Sequence, residues 1–470
     1  MHQRVSSDVA SSLRWWVLAT VVAAQFMFGV DAFVVNVALP TIAAELKASS
    51  AQIESIIALY LIAYATLVVT GGRLGDIFGT KPVFVAGVAG FTLASLWCGL
   101  AQSGPELILA RLAQGATAAL MVPQVLATLH LLFPDEARSR AFGIYGMVLG
   151  LAGAAGFVLG GVLVTLDLAG LGWRAVFFVN VPCGALIIAA ALRIMPQVPR
   201  RAGVRLDVLG ACVLFTGLLC VMGPLLFGRD LHWAAWLWPL IILGIVITAG
   251  FVRLEHAVAR RGGMPLIDLA LLEDHAFMRG LGAVFCFFSA NLSFYLVMTV
   301  HMQLMLRIAP LRAGMVFLPL ALTFVVGSRH AASRARHRGM MVLIEGCALQ
   351  IVGLAALALT TVIVPEPGAM LLAALLMIFG YGQGLVMAPL SNVVLATVKP
   401  ASAGAGSGIY GTVAQIANAA GVAAFGAAYF AIESVQHARV AFVVSLSLFA
   451  MSIVASAVFV SSIGRAPKGS

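Results

Sequence analysis

The chain has 470 residues, 62% of them hydrophobic and only 10% charged, with a formal net charge of +10. A water-soluble protein needs about 25% charged residues to cover its surface. This composition therefore excludes a soluble enzyme and requires that much of the surface face lipid.

Taken in chain order, runs of about 20 mostly apolar residues mark membrane-spanning helices. Such runs are read at 15–39, 52–72, 82–101, 105–132, 140–166, 173–194, 206–227, 236–254, 278–302, 311–329, 340–363, 368–396, 404–431 and 438–462. They are too long and too continuous for the alternating pattern of a membrane β-barrel. The first run follows Arg14 and is too long for a cleaved signal peptide, so it is read as an uncleaved span.

That first span carries Asp31 within an apolar helix, from Gly29 to Pro40. A charged Asp near a bilayer centre costs about 3 kcal/mol on the insertion scale. A carboxyl that is protonated when occluded and ionised when wet is a natural proton carrier, and it is equally a site for a cationic substrate. A structural pair or a helix-packing hydrogen bond is the plainer explanation. After the second span comes Gly71–Lys81, short, basic and glycine-rich. It is read as a tight turn, in which Asp76 can bond backbone amides or a neighbouring helix N-terminus.

The fourth span holds Arg111 about six residues below its end, and Asp31 lies about eight below the end of its own. At 1.5 Å per residue the two depths differ by only ~3 Å. These depths allow an ion pair if spans one and four are neighbours, and Arg111 is then either a proton-coupling element or a brace. The fifth span is rich in glycine, from Gly143 to Gly161, and the thirteenth repeats the theme with Gly404, Gly406, Gly408 and Gly411. Small residues at such spacing allow close helix contact. Met27, Phe33, Gln124, Asn291 and Tyr295, together with Asp31, are candidates for lining a greasy, partly polar substrate cavity. Glu54 and Glu345 lie near span ends and are expected at the membrane interface.

Most of the 28 lysines and arginines fall on one side if the N-terminus is cytoplasmic. That bias fits the positive-inside rule and puts both termini in the cytoplasm of an inner or plasma membrane. The basic balance is thus topogenic, and no nucleic-acid partner is expected. The seven tryptophans, Trp173 among them, fall at run ends, as interfacial belts require. The six cysteines show neither metal-ligand spacing nor a disulfide framework, and no phosphate-binding loop or catalytic triad is present. No cofactor is expected. The organisation reads as a six-helix bundle over 1–200, an inserted helix pair over 201–260 and a second six-helix bundle over 261–470. Parallel repeats of this kind place the substrate site at the repeat interface.

Several segments are similar to known motifs. Gly72-Arg73-Leu74-Gly75-Asp76, with Gly79 and Lys81, resembles motif A of the major facilitator superfamily, and Arg111, Gln114 and Gly115 resemble its motif B. Asp31 to Pro40 and the segment Trp173, Arg174, Phe177, Asn180, Val181, Pro182 resemble the first and sixth helices of its fourteen-helix drug:proton antiporters. The resemblance implies an all-α integral membrane fold of two six-helix bundles plus two inserted helices. It also implies proton-driven export by alternating access. The expected partners are a small-molecule substrate, protons and the lipid bilayer, and a monomer is the expected state. Asp31 and Arg111 would couple to the proton, and Gly72, Arg73, Asp76, Gly79 and Lys81 would form a conformational latch. The chain departs from the pattern at Ile77 and Thr80, where basic residues are usual, and in span five, which lacks the usual Gly-Pro. A dedicated transporter of one endogenous metabolite and a non-transporting membrane receptor or scaffold are the alternatives.

Overall fold

The computed structural model describes residues 11–133, 135–167, 170–197, 207–228, 230–260, 269–364, 366–398, 403–435 and 438–463. Its long helices are α1 (Ser11–Leu46), α2 (Ser50–Phe78), α3 (Thr80–Leu100), α4 (Gly104–Leu132), α5 (Asp135–Leu166) and α6 (Asn180–Ile194). They continue as α7 (Val208–Phe227), α8 (Leu237–Arg260), α9 (His275–Val300), α10 (Pro310–Arg338), α11 (Met341–Ile363), α12 (Ala369–Leu395), α13 (Ala403–Val435) and α14 (Ala438–Ile463). A 3₁₀ turn at Gly172–Arg174 and a one-turn helix at Ala175–Phe178 lead into α6, and a π-helical turn at His301–Met305 ends α9. No strand occurs among the described residues.

Thirteen helical segments are long and apolar enough to cross a membrane. In α5 the apolar stretch Leu151–Leu166 falls short of that length. The helices overrun the apolar runs read from sequence. The 36 residues of α1 span ~54 Å, well beyond a ~30 Å hydrocarbon core. Polar caps set several ends. Ser49 and Gln52 form a reciprocal capping box on α2, Ser103 accepts from the Glu106 N–H on α4, and Asp274 accepts from the Ala276 and Phe277 N–H groups on α9.

Helices α1 to α6 pack among themselves: α1 on α4, α5 and α6, α2 on α4, and α3 on α4 and α6. In the second bundle α9 packs on α13 and α14, α10 on α12, and α11 on α12 and α14. The α7–α8 pair packs against α2 and α13, one helix from each bundle. The bundle boundaries expected near 200 and 260 fall in or beside stretches outside the described residues.

Glycine sets the closest crossings. A Cβ on Gly71 would lie 1.9 Å from the Ala119 carbonyl oxygen, and one on Gly115 would lie 2.2 Å from that of Tyr60. The α2 and α4 backbones therefore touch, which only glycine permits. Gly71→Ala is expected to destabilise the protein by about 1–3 kcal/mol, read as a lowered unfolding midpoint in detergent. Gly72→Ala, whose Cβ would have Pro123 Cβ 3.7 Å away, is expected to leave that midpoint unchanged.

The fourteen long helices run alternately up and down, so the start of α1 at Ser11 and the end of α14 at Ile463 lie at one end of the molecule, the terminal end, and the other is the far end. Contacts joining the bundles run from mid-depth to the far end. Gly314 of α10 abuts the Phe157 carbonyl of α5, and Gly161 abuts Pro310. Gln303 donates to the Val37 carbonyl of α1 at 2.9 Å. Toward the terminal end of α13, nothing lies within 4 Å of where side chains on Gly408 and Gly411 would begin. The seam is closed at the far end.

One tryptophan departs from the interfacial expectation. Trp173 is fully buried, and its indole N–H donates to Glu45 Oε2 at 2.7 Å, while Arg174 pairs with the other oxygen of the same carboxylate. It locks the start of helix six to the end of α1. Trp16, Trp236 and Trp238 are exposed, as a belt requires.

Candidate functional site

Asp31 lies in the middle of the first bundle, wholly buried. Arg111 Nη1 donates to its Oδ2 at 2.6 Å, which joins spans one and four as their depths suggested. Its Oδ1 accepts from Gln114 Nε2 and from Asn180 Nδ2, both at 2.9 Å. Ser95 Oγ accepts from Gln114 at 2.8 Å and from Asn180 at 3.3 Å. Arg111 in turn donates through Nε to the Ile56 carbonyl at 3.1 Å and through Nη1 to Gln114 Oε1 at 2.6 Å. Its guanidinium lies 3.9 Å from the centre of the Tyr60 ring. Four helices, α1, α3, α4 and α6, thus converge on one carboxylate that accepts from three side-chain donors. A buried ion pair survives only when such bonds satisfy it, and removing either partner leaves an uncompensated charge.

Helical geometry explains which residues share this site. At 100° per residue Phe33 lies ~200° from Asp31 around α1, whereas Met27 lies within ~40° of it. Asp31 and Met27 therefore face the bundle interior, and Phe33 faces the seam. The expectation that Asp31, Met27 and Phe33 line one cavity does not match this arrangement, because opposite faces of a helix cannot line one pocket.

On the seam face, Phe33 packs edge-on to Tyr295 at 5.8 Å. Phe157 of α5 packs against Tyr295 at 5.1 Å and stacks on Phe317 of α10 at 4.2 Å. Rings from both bundles meet here at mid-depth. Behind them Tyr295 Oη donates to Gln383 Oε1 and Gln383 Nε2 donates to Asn291 Oδ1, each at 2.8 Å. Asn291 closes the chain by donating to the Phe287 carbonyl at 2.7 Å. Asn291, Tyr295 and Phe33, singled out from sequence, are thus brought together. Gln124 is not among them: it is buried between α2 and α4 and donates to the Gly71 carbonyl at 2.8 Å.

The glycine-rich segment after span two is more helical than its composition suggests. Helix α2 runs through Phe78, so Gly72, Arg73 and Asp76 lie on its last two turns. The turn itself is Gly79 alone, at φ 96°, a conformation that suits glycine. Arg73 and Asp76 are each engaged in interactions of their own. Lys81 Nζ donates to the Leu192 and Met195 carbonyls, both at 2.8 Å, capping the C-terminus of α6 with a cation. Lys81→Met is expected to destabilise that contact by about 1–2 kcal/mol and to speed amide exchange at the end of α6.

Glu54, expected at the interface, is instead buried where α2 meets α13, against Gly426. Glu345 is half-exposed and accepts from Arg338 Nη1 at 2.5 Å, as an interfacial acid does. Sequence reasoning did not single out Gln114, Asn180, Ser95 or Gln383 as site residues. Gln114 is three residues after Arg111, hence on the same helix face, and that spacing was the available signal. No cluster of three metal-ligating side chains occurs among the described residues.

The sequence profile of the Major Facilitator Superfamily matches residues 21–422. The chain is 35% identical to the probable actinorhodin transporter of Streptomyces coelicolor, over 90% of this chain and 74% of that protein. It is 35% identical to the cephamycin export protein of Amycolatopsis lactamdurans, over 85% and 82% of the two chains. With the tetracenomycin C resistance and export protein of Streptomyces glaucescens it shares 30% identity, over 90% and 78%. Among solved structures, a POT family transporter superposes with a TM-score of 0.71 over 97% of this chain and 99% of that one, at 11% identity. A D-xylose-proton symporter superposes with a TM-score of 0.68 over 95% and 97%, at 13% identity. At such identities these structures establish the fold.

Proposed function

The chain belongs to the major facilitator superfamily, and from that premise we propose that it exports amphipathic small molecules, antibiotics among them, by proton-coupled alternating access. It is a multi-pass membrane transporter. The proposal places both termini in the cytoplasm, so that the far end faces outward and is shut in this conformation.

The observation that carries the reading is the two-faced α1. One face holds Asp31 in its network with Arg111, Gln114 and Asn180. The other holds Phe33 against Tyr295 and the Val37 carbonyl under Gln303. Opening the far end must part the second set, and a shift of α1 relative to α4 and α6 as it does so strains the first. Coupling needs such an element with two arrangements that both sites bias. In the closed state the Asp31 carboxylate is sealed, so proton exchange belongs to the opposite conformation, when α1 has moved. Asp31 then carries the proton and Arg111 compensates the charge. This replaces the simpler expectation that Asp31 meets a cationic substrate directly, since its charge is already matched inside the bundle. Each proton entering down a 100 mV potential supplies about 2.3 kcal/mol.

Substrate passes between the bundles, 1–200 and 261–470, along the seam lined by Phe33, Asn291 and Tyr295. Gly79 is the hinge of the motif A latch formed by Gly72, Arg73, Asp76 and Lys81, and the Lys81 bonds to the end of α6 support that role. Similarity to a probable actinorhodin transporter and to a tetracenomycin C resistance and export protein supports the drug-like substrate class. The test is efflux of a fluorescent amphiphile from proteoliposomes with and without an imposed pH gradient. Efflux is expected to accelerate with the gradient and to be inhibited by several unrelated amphiphiles. Efflux indifferent to the gradient would remove antiport, and inhibition by one metabolite alone would favour a dedicated transporter.

A further inference from the structure

We infer that the Tyr295–Gln383–Asn291 chain is a subsite for uncharged, planar aromatic compounds that carry a ring hydroxyl and a ring carbonyl; this rests on the export reading above. Three features of the seam lead there. First, the seam at mid-depth is an aromatic contact, with Tyr295, Phe157 and Phe317 buried in this conformation and uncovered only when the bundles part. Phe33, Phe157 and Phe317 surround the Tyr295 ring from three different helices, with centroids 4.2–5.8 Å apart. Flat rings are what such a surface stacks with.

Second, the hydrogen bonds leave a defined remainder. The Tyr295 hydroxyl proton is spent on Gln383, so its oxygen is left as an acceptor. Gln383 and Asn291 each spend one amide N–H, on Asn291 Oδ1 and the Phe287 carbonyl, and each retains a second. A ligand hydroxyl suits the Tyr295 oxygen, and a ligand carbonyl suits the amide N–H groups. Asn291 lies one turn from Tyr295 toward the terminal end, the side from which the closed far end leaves the seam approachable.

Third, among the described residues the two buried membrane acids of the α1 and α2 helices are both placed away from this point. Asp31 is on the opposite side of α1 and matched by Arg111. Glu54, the buried acid of the α2–α13 contact, lies against Gly426, nearer the far end. A permanent cation would be desolvated here with only neutral amides and rings as partners, whereas an uncharged hydroxyaryl ketone loses little on entering. The chain of amides thus reads polar pattern and the rings read shape.

The test measures binding of 2-hydroxyanthraquinone, whose hydroxyl is remote from its carbonyls, of anthracene, which has the same frame without oxygen, and of the cation ethidium to the purified full chain in mildly acidic detergent solution, where the hydroxyl keeps its proton. Wild type is expected to prefer the hydroxyanthraquinone over both. Gln383→Leu is expected to weaken hydroxyanthraquinone about tenfold, and the milder Tyr295→Phe about threefold, with anthracene unchanged within about twofold. Equal losses for both frames, no loss in either variant, or tighter binding of ethidium by wild type would overturn the subsite. Efflux from proteoliposomes separates this from the export reading. Gradient-driven efflux of ethidium without selective loss of hydroxyanthraquinone binding would defeat the subsite and leave export standing. Selective binding with no efflux of any probe would support the subsite and defeat export.

Discussion

Asp31→Asn is expected to reduce pH-driven efflux to background and at the same time to destabilise the first bundle by roughly 3–5 kcal/mol. The substitution keeps the shape of the side chain but removes the one charge that matches Arg111, which is 1% exposed. A guanidinium stranded there has Tyr60, Gln114 and the Ile56 carbonyl for company and no anion. Loss of transport in the single variant would therefore mix two effects, misfolding and uncoupling. The double variant Asp31→Asn with Arg111→Gln separates them. It removes both charges, and replacing a buried pair by uncharged side chains is often neutral for stability. Its unfolding midpoint is expected to return toward wild type while gradient-driven efflux stays lost. If the double variant both folds and responds to the gradient, the pair is a brace and the proton travels elsewhere.

The second large effect is conformational. Gly314→Leu is expected to drive the transporter toward a state open at the far end and to stall turnover. A Cβ on Gly314 would lie 2.4 Å from the Phe157 carbonyl oxygen, and one on Gly161 would lie 2.9 Å from that of Pro310. Backbone cannot yield as a side chain can, so α5 and α10 must separate. Overpacking of this kind costs on the order of 1–3 kcal/mol. Because the penalty acts only when the seam is shut, it shifts the two-state balance about 5- to 150-fold. Spin labels on Gln102 and Glu366, exposed in far-end loops of the two bundles, report the change. The longer of two distances is expected to dominate in Gly314→Leu. An unchanged distribution with normal efflux would mean that the seam does not have to close in the cycle.

Much of the architecture was legible because a bilayer imposes a length and a composition on any segment that crosses it. The helix ends were not, since polar residues such as those of Ser11–Arg14 and Arg329–Arg338 continue the helices of α1 and α10 past the apolar stretch. The glycines after span two were misleading for a related reason. Glycine usually weakens a helix, but Gly71 and Gly75 sit where α4 presses against α2, and tertiary contact overrides propensity. Trp173 looked interfacial by position and is a buried lock, because Glu45 and Arg174 give its N–H and ring a polar setting within the protein.

The acid and its partner were legible by cost and by depth. The rest of their network was not, since an uncharged Gln, Asn or Ser in an apolar span is cheap and common. Only the fold shows that Gln114 and Asn180 meet at one carboxylate, with Ser95 of a third helix accepting from both. Grouping Met27 with Phe33 failed at the level of helical phase, six residues being ~240° apart around α1. Gln124 is polar and buried like the others, and its bond to Gly71 could not be read without knowing that α2 and α4 cross there.

The most direct test of the account is proton release on substrate binding, followed with a pH indicator in weakly buffered detergent solution. If α1 carries the gate on one face and the exchangeable proton on the other, an exported amphiphile that draws wild type from the protonated, far-end-open state into the closed state, where Asp31 is paired with Arg111, releases up to about one proton per molecule, and Asp31→Asn with Arg111→Gln releases none although it still binds. Equal release from both proteins, or binding by wild type with no release at all, would contradict it.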